Sequence, residues 1–511
     1  MAAMAVRYRS MRSRTIDLNK QSRGGINAFL SVQREVAESS GTAARIDHSF
    51  PDLPKEGITE LYLSNREGEL AYALAMGKGV EHLFILKEGE WVQSPLDMDQ
   101  YNIAGAGDTT GEVLAIGPRQ NGKPRALLRV NALSGEVQAT LYQDEQYDAV
   151  VEHVFRHPVT HAIIGIQFYR KTLETVWFDQ VHAELQVRLN QFFQGKTVSI
   201  VGSDLAENIF VVANYSDRQP VSYSLVDLTK NESQVIASSR PWIIPKRMRP
   251  MQDLRYKARD GLKVEGYLTM PEGVTKENRP PLVVLVHGGP WVRDSWGWNA
   301  EVQFLASRGY AVFQPNYRGS SGYSWNFPLG DDWNYKKMHE DVTDGVKQLI
   351  KSGLVDPQRI AIMGASFGGY LALCGAAFEP DLYRCAITEA GWFDATLRMK
   401  QAKRNQYETI RYQFYLRNLG DPEKQKTHYA DISPINHIDQ VKIPVLIAHG
   451  KDDQVVNVEQ SKRLAKELER YAVPHKVLLK RGEGHGLSRI ENQLEYYTAV
   501  EDFLSENMRK P

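Results

Sequence analysis

Residues 359–370 read RIAIMGASFGGY, an apolar run followed at once by Gly364-Ala365-Ser366-Phe367-Gly368 and then by residues that favour a helix. A serine between two glycines at a strand-to-helix junction is the sequence form of a sharp elbow. The hydroxyl then stands above the end of the sheet, and the N–H of the next residue, Phe367, lies at a helix N-terminus, where negative charge is favoured. The glycines are expected to let the chain turn this tightly. A glycine-rich helix start with an incidental serine has the same letters, but the flanking strand and helix favour reading Ser366 as a nucleophile.

The segments around this elbow decide the sheet. After Pro280, apolar runs alternate with helical stretches. These are PLVVLVHG, a helix near 302–307, YAVFQP, a helix over 339–351, RIAIMGA, a helix over 368–377, CAITEAG, PVLIAHG, a helix over 458–468, HKVLLK and an amphipathic helix over 492–507. Strands this uniformly apolar are buried on both faces, so the predicted fold class is α/β, a doubly wound, mostly parallel sheet. In such sheets chemistry gathers at the carboxyl ends of the strands.

Before residue 240 the grammar is all-β. From 58 to 238, short β-branched and aromatic runs are broken every 8 to 15 residues by turn residues, with Arg66-Glu67-Gly68 and Leu133-Ser134-Gly135 read as hairpin tips. The groups recur at about 40 to 45 residues, the length of a four-stranded propeller blade, and about four such blades fit. That is few for a closed ring, so a partial β-propeller is expected, with a sandwich as the alternative. PWIIPKRMRP, residues 241–250, reads as a linker, and Asp260-Gly261 as the turn of the hairpin after it. The expected limits are a basic arm over 1–50, a propeller-like domain over 51–240, a linker over 241–255 and an α/β domain over 256–511.

A serine hydroxyl needs a base. His485 lies in Gly482-Glu483-Gly484-His485-Gly486, after a strand and before the final helix, where glycines let the loop return over the sheet. A carboxylate should follow the preceding strand, and there Asp452 and Asp453 compete; either would hold the imidazole in its working tautomer. The chain order serine, aspartate, histidine is that of α/β-hydrolases. For the oxyanion, His287-Gly288-Gly289-Pro290 follows a strand, and Gly289 is preferred to Gly288 as the donor that joins the Phe367 N–H.

Other classes lose support. Lys and Arg number 62 against 62 Asp and Glu, so the main driving force for nucleic-acid binding is missing. No P-loop or dinucleotide fingerprint occurs, and no cofactor or metal is expected. His153, His157 and His161 are spaced by four, but Pro158 and the apolar neighbours argue for strands there. His339-Glu340 lacks the histidine at 343 that a zinc-protease helix needs. The basic, aromatic segment 398–418 reads as a cap helix over the site in preference to an RNA patch. Two cysteines in apolar surroundings, Cys374 and Cys385, indicate reduced thiols. No apolar run is long enough to cross a membrane, and no secretory segment opens the chain, so a cytoplasmic location is expected. The arginines of the first 36 residues suit a solvated arm better than a transit peptide.

VHGGPWVRD (286–294), NYRGSSGY (316–323), the helix around Asp341, GASFGGY (364–370), SPINHI (433–438), HGKDDQVV (449–456) and GEGHG (482–486) together resemble the catalytic domain of the prolyl oligopeptidase family, in its acylaminoacyl-peptidase-like branch. The resemblance spans about residues 250–508. It implies a serine peptidase with an N-terminal β-propeller, acting on short peptides, and its H-G-x-x-D-x-x-V pattern assigns the carboxylate to Asp453. Three departures stand out: Phe367 replaces a tyrosine common after the nucleophile, His287 stands where some members place an oxyanion-binding tyrosine, and the β region is short. The glutamate pair with which dipeptidyl peptidases hold a free N-terminus is not recognisable, so dipeptidyl activity is not favoured. A carboxylesterase with the same triad, and a catalytically silent propeller scaffold, are the competing expectations. An open propeller edge leaves strands able to pair with a second chain, which keeps a homo-oligomer among the expectations.

Overall fold

The structure is a computed structural model that describes residues 58–509 apart from 66–67, 78–79, 121 and 405–408. The arm expected over 1–50 therefore lies outside the described residues, as do Arg66 and Glu67 of the first hairpin tip.

Four consecutive antiparallel sheets come first. They are β1 to β4 (Ile58–Ser64, Leu70–Gly77, Val80–Lys87, Glu90–Gln93) and β5 to β8 (Asn102–Ala106, Glu112–Ile116, Leu127–Asn131, Val137–Tyr142). Then follow β9 to β11 (Val151–Arg156, Ile163–Tyr169, Leu173–Trp177) and β12 to β15 (Thr197–Ser203, Ile209–Tyr215, Ser222–Asp227, Glu232–Ser238). Each pairs its strands in chain order, as propeller blades do. Leu133-Ser134-Gly135 turns between β7 and β8 with Gly135 at φ +74, as its sequence predicts. His153 lies in β9, and His161 sits at φ +55 in the turn after it, so the histidine spacing does not fall on a helix.

One element departs from the all-β expectation. Helix α1 (Gln180–Gln191) joins the third sheet to the fourth. Asp179 caps it by accepting the His182 N–H, and Leu189 packs with Phe193, Val198, Phe210 and Val212 against the fourth sheet. Only His182 and Leu189 of the helix are buried, so its apolar stripe is too thin to stand out from the β pattern around it.

The second half is one eight-stranded sheet. β16 (Met251–Lys257) and β17 (Lys263–Thr269) form the expected hairpin, closed by Asp260-Gly261 with Gly261 at φ +87. β17 lies antiparallel to β19 (Ala311–Asn316); from there β19, β18 (Leu282–Val286), β20 (Ile360–Ala365), β21 (Cys385–Glu389), β22 (Val445–Gly450) and β23 (His475–Lys480) run parallel. The chain leaves β18 for β19 on one side and returns to β20 on the other. Such a divergence opens a crevice at the carboxyl ends of β18 and β20.

Both faces of this sheet are covered, which is why its strands read as unbroken apolar runs. Val284, Val286, Phe313, Ile360 and Ile362 face α3 (Tyr335–Lys351), α4 (Phe367–Phe378) and α8 (Glu459–Arg470). Val283, Leu285, Val312, Ala361 and Leu446 face α2 (Ala300–Ser307) and α9 (Ile490–Asn507). Each such fully buried aliphatic side chain contributes on the order of 2 kcal/mol. Segment 398–418 forms parts of two helices, α5 (Ala395–Arg404) and α6 (Thr409–Leu419), where a single cap helix is expected, and α7 (Lys426–Asp431) follows. The two halves meet at the loop after β19: Asp148 accepts the Ser324 N–H at 2.7 Å, Arg119 donates to Ser324 O at 2.8 Å, and Tyr323 and Phe327 pack with Leu114 and Phe168.

Candidate active site

Ser366 joins β20 to α4 at φ +56, ψ −119, a backbone region L-residues avoid. The strain falls on the serine itself, and the glycines have a different task from the turning role expected of them. A Cβ on Gly368 would lie 2.0 Å from Val286 O, and one on Gly364 would lie 2.5 Å from the Gly368 carbonyl carbon. They let α4 approach the strands closely enough to complete the elbow. The Ser366 N–H is held by Glu389 O at 2.8 Å.

Phe367 begins α4, so its N–H belongs to the set a helix leaves without an intrahelical acceptor. Its ring is buried against Tyr335 and Tyr370, which fixes that end of the helix. The loop after β18 lies alongside: a Cβ on Gly288 would stand 3.3 Å from Ser366 Cβ. Gly289 follows, exposed and at φ +119, where a side chain would be strained. His287 is held by its neighbours. Its ring stacks on Tyr317 with centroids 4.3 Å apart, and its nitrogens lie 2.8 Å from Gly288 O and 3.0 Å from Ser320 Oγ. Burial pulls its pKa down to about 4, so it is neutral at pH 7.

His485 and Asp453 meet. His485 Nδ1 lies 2.7 Å from Asp453 Oδ2, and the aspartate side chain is fully buried. Asp453 Oδ1 accepts the N–H groups of Val455 at 2.7 Å and Val456 at 2.9 Å. Burial alone would raise its pKa, but the bonds from His449 and His485 and from the Val456 N–H outweigh it and hold the carboxyl well below the usual range. Asp452 points elsewhere, accepting the Gly482 N–H at 2.7 Å.

Two residues that sequence reading passed over shape this corner. His449 is buried, with Nε2 2.9 Å from Val456 O and 3.2 Å from Asp453 Oδ2 and Nδ1 2.7 Å from Ser461 Oγ. Glu483, also buried, accepts Ser488 N–H at 2.8 Å, Ser488 Oγ at 2.7 Å, Arg489 N–H at 3.0 Å and Asn492 Nδ2 at 2.6 Å, and so binds the His485 loop to the start of α9. Its burial is offset by these donors, which hold its pKa down to about 2. Both stand in the quoted motifs HGKDDQVV and GEGHG; a carboxylate beside a loop histidine is the signal that was available.

The loop after β18 also carries aromatic contacts to α6. Trp291 packs on Trp333 and on Phe414 of α6, at 4.5 and 5.6 Å between centroids, and donates its indole N–H to Asp332 O. Arg417 of α6 pairs with Asp99 of the turn between β4 and β5. Among the described residues no cluster of three or more His, Cys, Asp or Glu could hold a metal ion.

A parallel sheet with a strained serine elbow after β20, an aspartate after β22 and a histidine after β23 defines an α/β-hydrolase, here preceded by blade-like β-sheets. Residues 296–511 match the prolyl oligopeptidase family. Among curated relatives, dipeptidyl aminopeptidase BIII of Pseudoxanthomonas mexicana is 32% identical over 318 residues, 60% of this chain and 46% of the relative. The acylamino-acid-releasing enzyme of Mus musculus is 30% identical over 238 residues, 45% of this chain and 32% of the relative. The chain thus spans less than half the length of either. A puromycin-hydrolysing peptidase of Mycobacterium tuberculosis shares the fold with a TM-score of 0.70 at 20% identity, over 88% of this chain and 70% of that one.

Proposed function

We propose that the chain is a serine peptidase that cleaves short peptides through an acyl-enzyme. The observation that carries this reading is the 2.7 Å bond between His485 Nδ1 and buried Asp453, in a chain whose residues 296–511 match the prolyl oligopeptidase family and whose Ser366 sits on a strained elbow. Ser366 Oγ attacks the peptide carbonyl and its proton passes to His485 Nε2. Asp453 holds the Nδ1 proton and stabilises the imidazolium. The N–H groups of Gly289 and Phe367 receive the oxyanion. The C–N bond then breaks as His485 delivers its proton to the leaving amine, and water, deprotonated by the same histidine, releases the acid.

With His287 occupied by Gly288 and Ser320, both oxyanion donors in this scheme are backbone groups. The domain limits 51–240, 241–255 and 256–511 and a homo-oligomeric state belong to the same proposal. Buried, unpaired Cys374 and Cys385 support a reducing compartment such as the cytoplasm. No helix among the described residues is long and apolar enough to cross a membrane.

The test is a set of initial rates on acetyl-alanyl, alanyl and glycyl-prolyl p-nitroanilides beside p-nitrophenyl acetate, for wild type and Ser366→Ala. Amide cleavage lost in the variant supports the peptidase, and the preferred anilide assigns its branch, since the matched relatives carry both dipeptidyl and acylamino names. Ester cleavage alone, also lost in Ser366→Ala, would replace the peptidase by a carboxylesterase.

A further inference from the structure

β21 ends on Glu389, paired in register with Ala365 of the nucleophile strand. Its carbonyl accepts the Ser366 N–H at 2.8 Å, and its side-chain Oε1 accepts the Leu487 N–H at 3.2 Å, two residues beyond His485. One residue therefore touches both halves of the site: its main chain steadies the nucleophile, its side chain the loop that bears the base.

The loop needs such a hold. A Cβ on Gly484 would meet nothing within 4 Å and Gly486 adopts φ +107, so neither neighbour of His485 fixes the direction of the chain by packing a side chain. Asp452 and Glu483 secure the loop at Gly482 and from Ser488 onward. Glu389 supplies the tie between these points, on the side facing the elbow. Next to it stands Glu301, whose carboxyl is pushed up to about 8 by burial and by the charges of Glu389 and Asp294. A neutral Glu301 at pH 7 leaves Glu389 free of one like charge while it accepts the Leu487 N–H.

We infer that Glu389 is a positioning residue, whose side chain holds the His485 loop over Ser366 so that the base meets the hydroxyl. This rests on the serine-hydrolase reading above. A misplacement of about 1 Å between reacting groups costs on the order of 100-fold in rate, so a single loop tie is enough to matter.

The full chain is prepared as wild type, Glu389→Gln, which keeps an acceptor oxygen, and Glu389→Leu, which removes it. Three quantities are read: the rate constant for fluorophosphonate labelling of Ser366, kcat per labelled site with KM on the best anilide, and the melting temperature. Glu389→Leu is expected to slow labelling and kcat by roughly 10- to 100-fold with KM within about threefold, and Glu389→Gln to stay within about threefold of wild type. A merely structural role lowers the melting temperature and the labelled fraction but leaves kcat per labelled site unchanged, and that result overturns the inference. Should Glu389→Leu not fold, Glu389→Ala answers the same question, and failure of both to fold assigns the residue to stability and likewise overturns it. The parent reading fails separately: wild type that labels but cleaves no amide loses the peptidase, while the labelling rates still decide the role of Glu389. Wild type that does not label ends both.

Discussion

Asp453 presents Oδ2 to His485 Nδ1 at 2.7 Å, while Asp452, its neighbour in sequence, turns its carboxylate to the Gly482 N–H. The two substitutions should therefore separate. Asp453→Asn keeps the shape but offers an N–H to Nδ1, which favours the tautomer with its proton on Nε2, where the serine proton must go. A fall in kcat on the order of 10⁴ is expected. Asp452→Asn leaves the triad bond intact and should cost less than about tenfold. Steady-state kinetics on the best anilide decide the matter, and equal losses would reverse the assignment.

Glu483 gives a prediction in stability and pH. Glu483→Gln replaces one of its two acceptor oxygens by an N–H group that meets the donors of Ser488 or Arg489, at a cost of about 1–3 kcal/mol at pH 7. Because the folded carboxyl is held down to about 2 against an ordinary 4.5, its stabilising effect is fully present above pH 4.5 and is lost as pH falls toward 2. The gap between wild type and variant in urea melts should narrow over that window. A gap that stays constant from pH 7 to pH 3 would show that the charge contributes nothing.

The sheet, its serine elbow and the histidine that meets Asp453 were legible because they are tied to local grammar: apolar strands buried on both faces, a G-x-S-x-G turn, a histidine among glycines. Residue chemistry by itself left Asp452 and Asp453 open, since both follow the same strand; the family pattern H-G-x-x-D-x-x-V pointed to Asp453, and the path of the 482–486 loop gives the physical reason, with Asp453 at His485 and Asp452 at Gly482. Glu389 and Glu301 were invisible for a similar reason. They come from different strand and helix ends, and no spacing in the chain announces that they meet. Helix α1 was missed because its weak stripe lies between β runs of five and seven residues, where tertiary packing of Leu189 outweighs the surrounding pattern.

Arg318, two residues beyond β19, is buried with Asp341 of α3. Its Nη2 and Nε lie 2.6 and 2.8 Å from the two carboxylate oxygens, and its backbone N–H donates to the same group at 2.9 Å. Burial raises the Asp341 pKa despite this pairing and raises the stakes of breaking it. Asp341→Ala should destabilise the fold by about 3–5 kcal/mol, because it removes the fully buried one of the guanidinium's carboxylate partners. Asp260 and Asp331 also reach Arg318, so the lower end of that range is expected. Calorimetric melting checks this, and a loss below about 1 kcal/mol would mean that the other two carboxylates compensate fully.

The last prediction contrasts two glycines that a sequence reader would treat alike. At Gly368 a methyl group would stand 2.0 Å from Val286 O and 3.0 Å from His287 O, main-chain atoms of the end of β18 and of the loop that follows it. Relief of that clash must push α4 off the sheet or drag Gly288 and Gly289 with it, so Gly368→Ala should abolish fluorophosphonate labelling of Ser366. At Gly484 nothing lies within 4 Å of the added methyl, although His485 is the next residue. Gly484→Ala should fold, label at a rate within about threefold of wild type and gain about 0.4–1 kcal/mol from a less flexible unfolded chain. Labelling of Gly368→Ala at the wild-type rate would mean that β18 and α4 can separate without disturbing Ser366, and close glycine packing would then not be what holds the elbow.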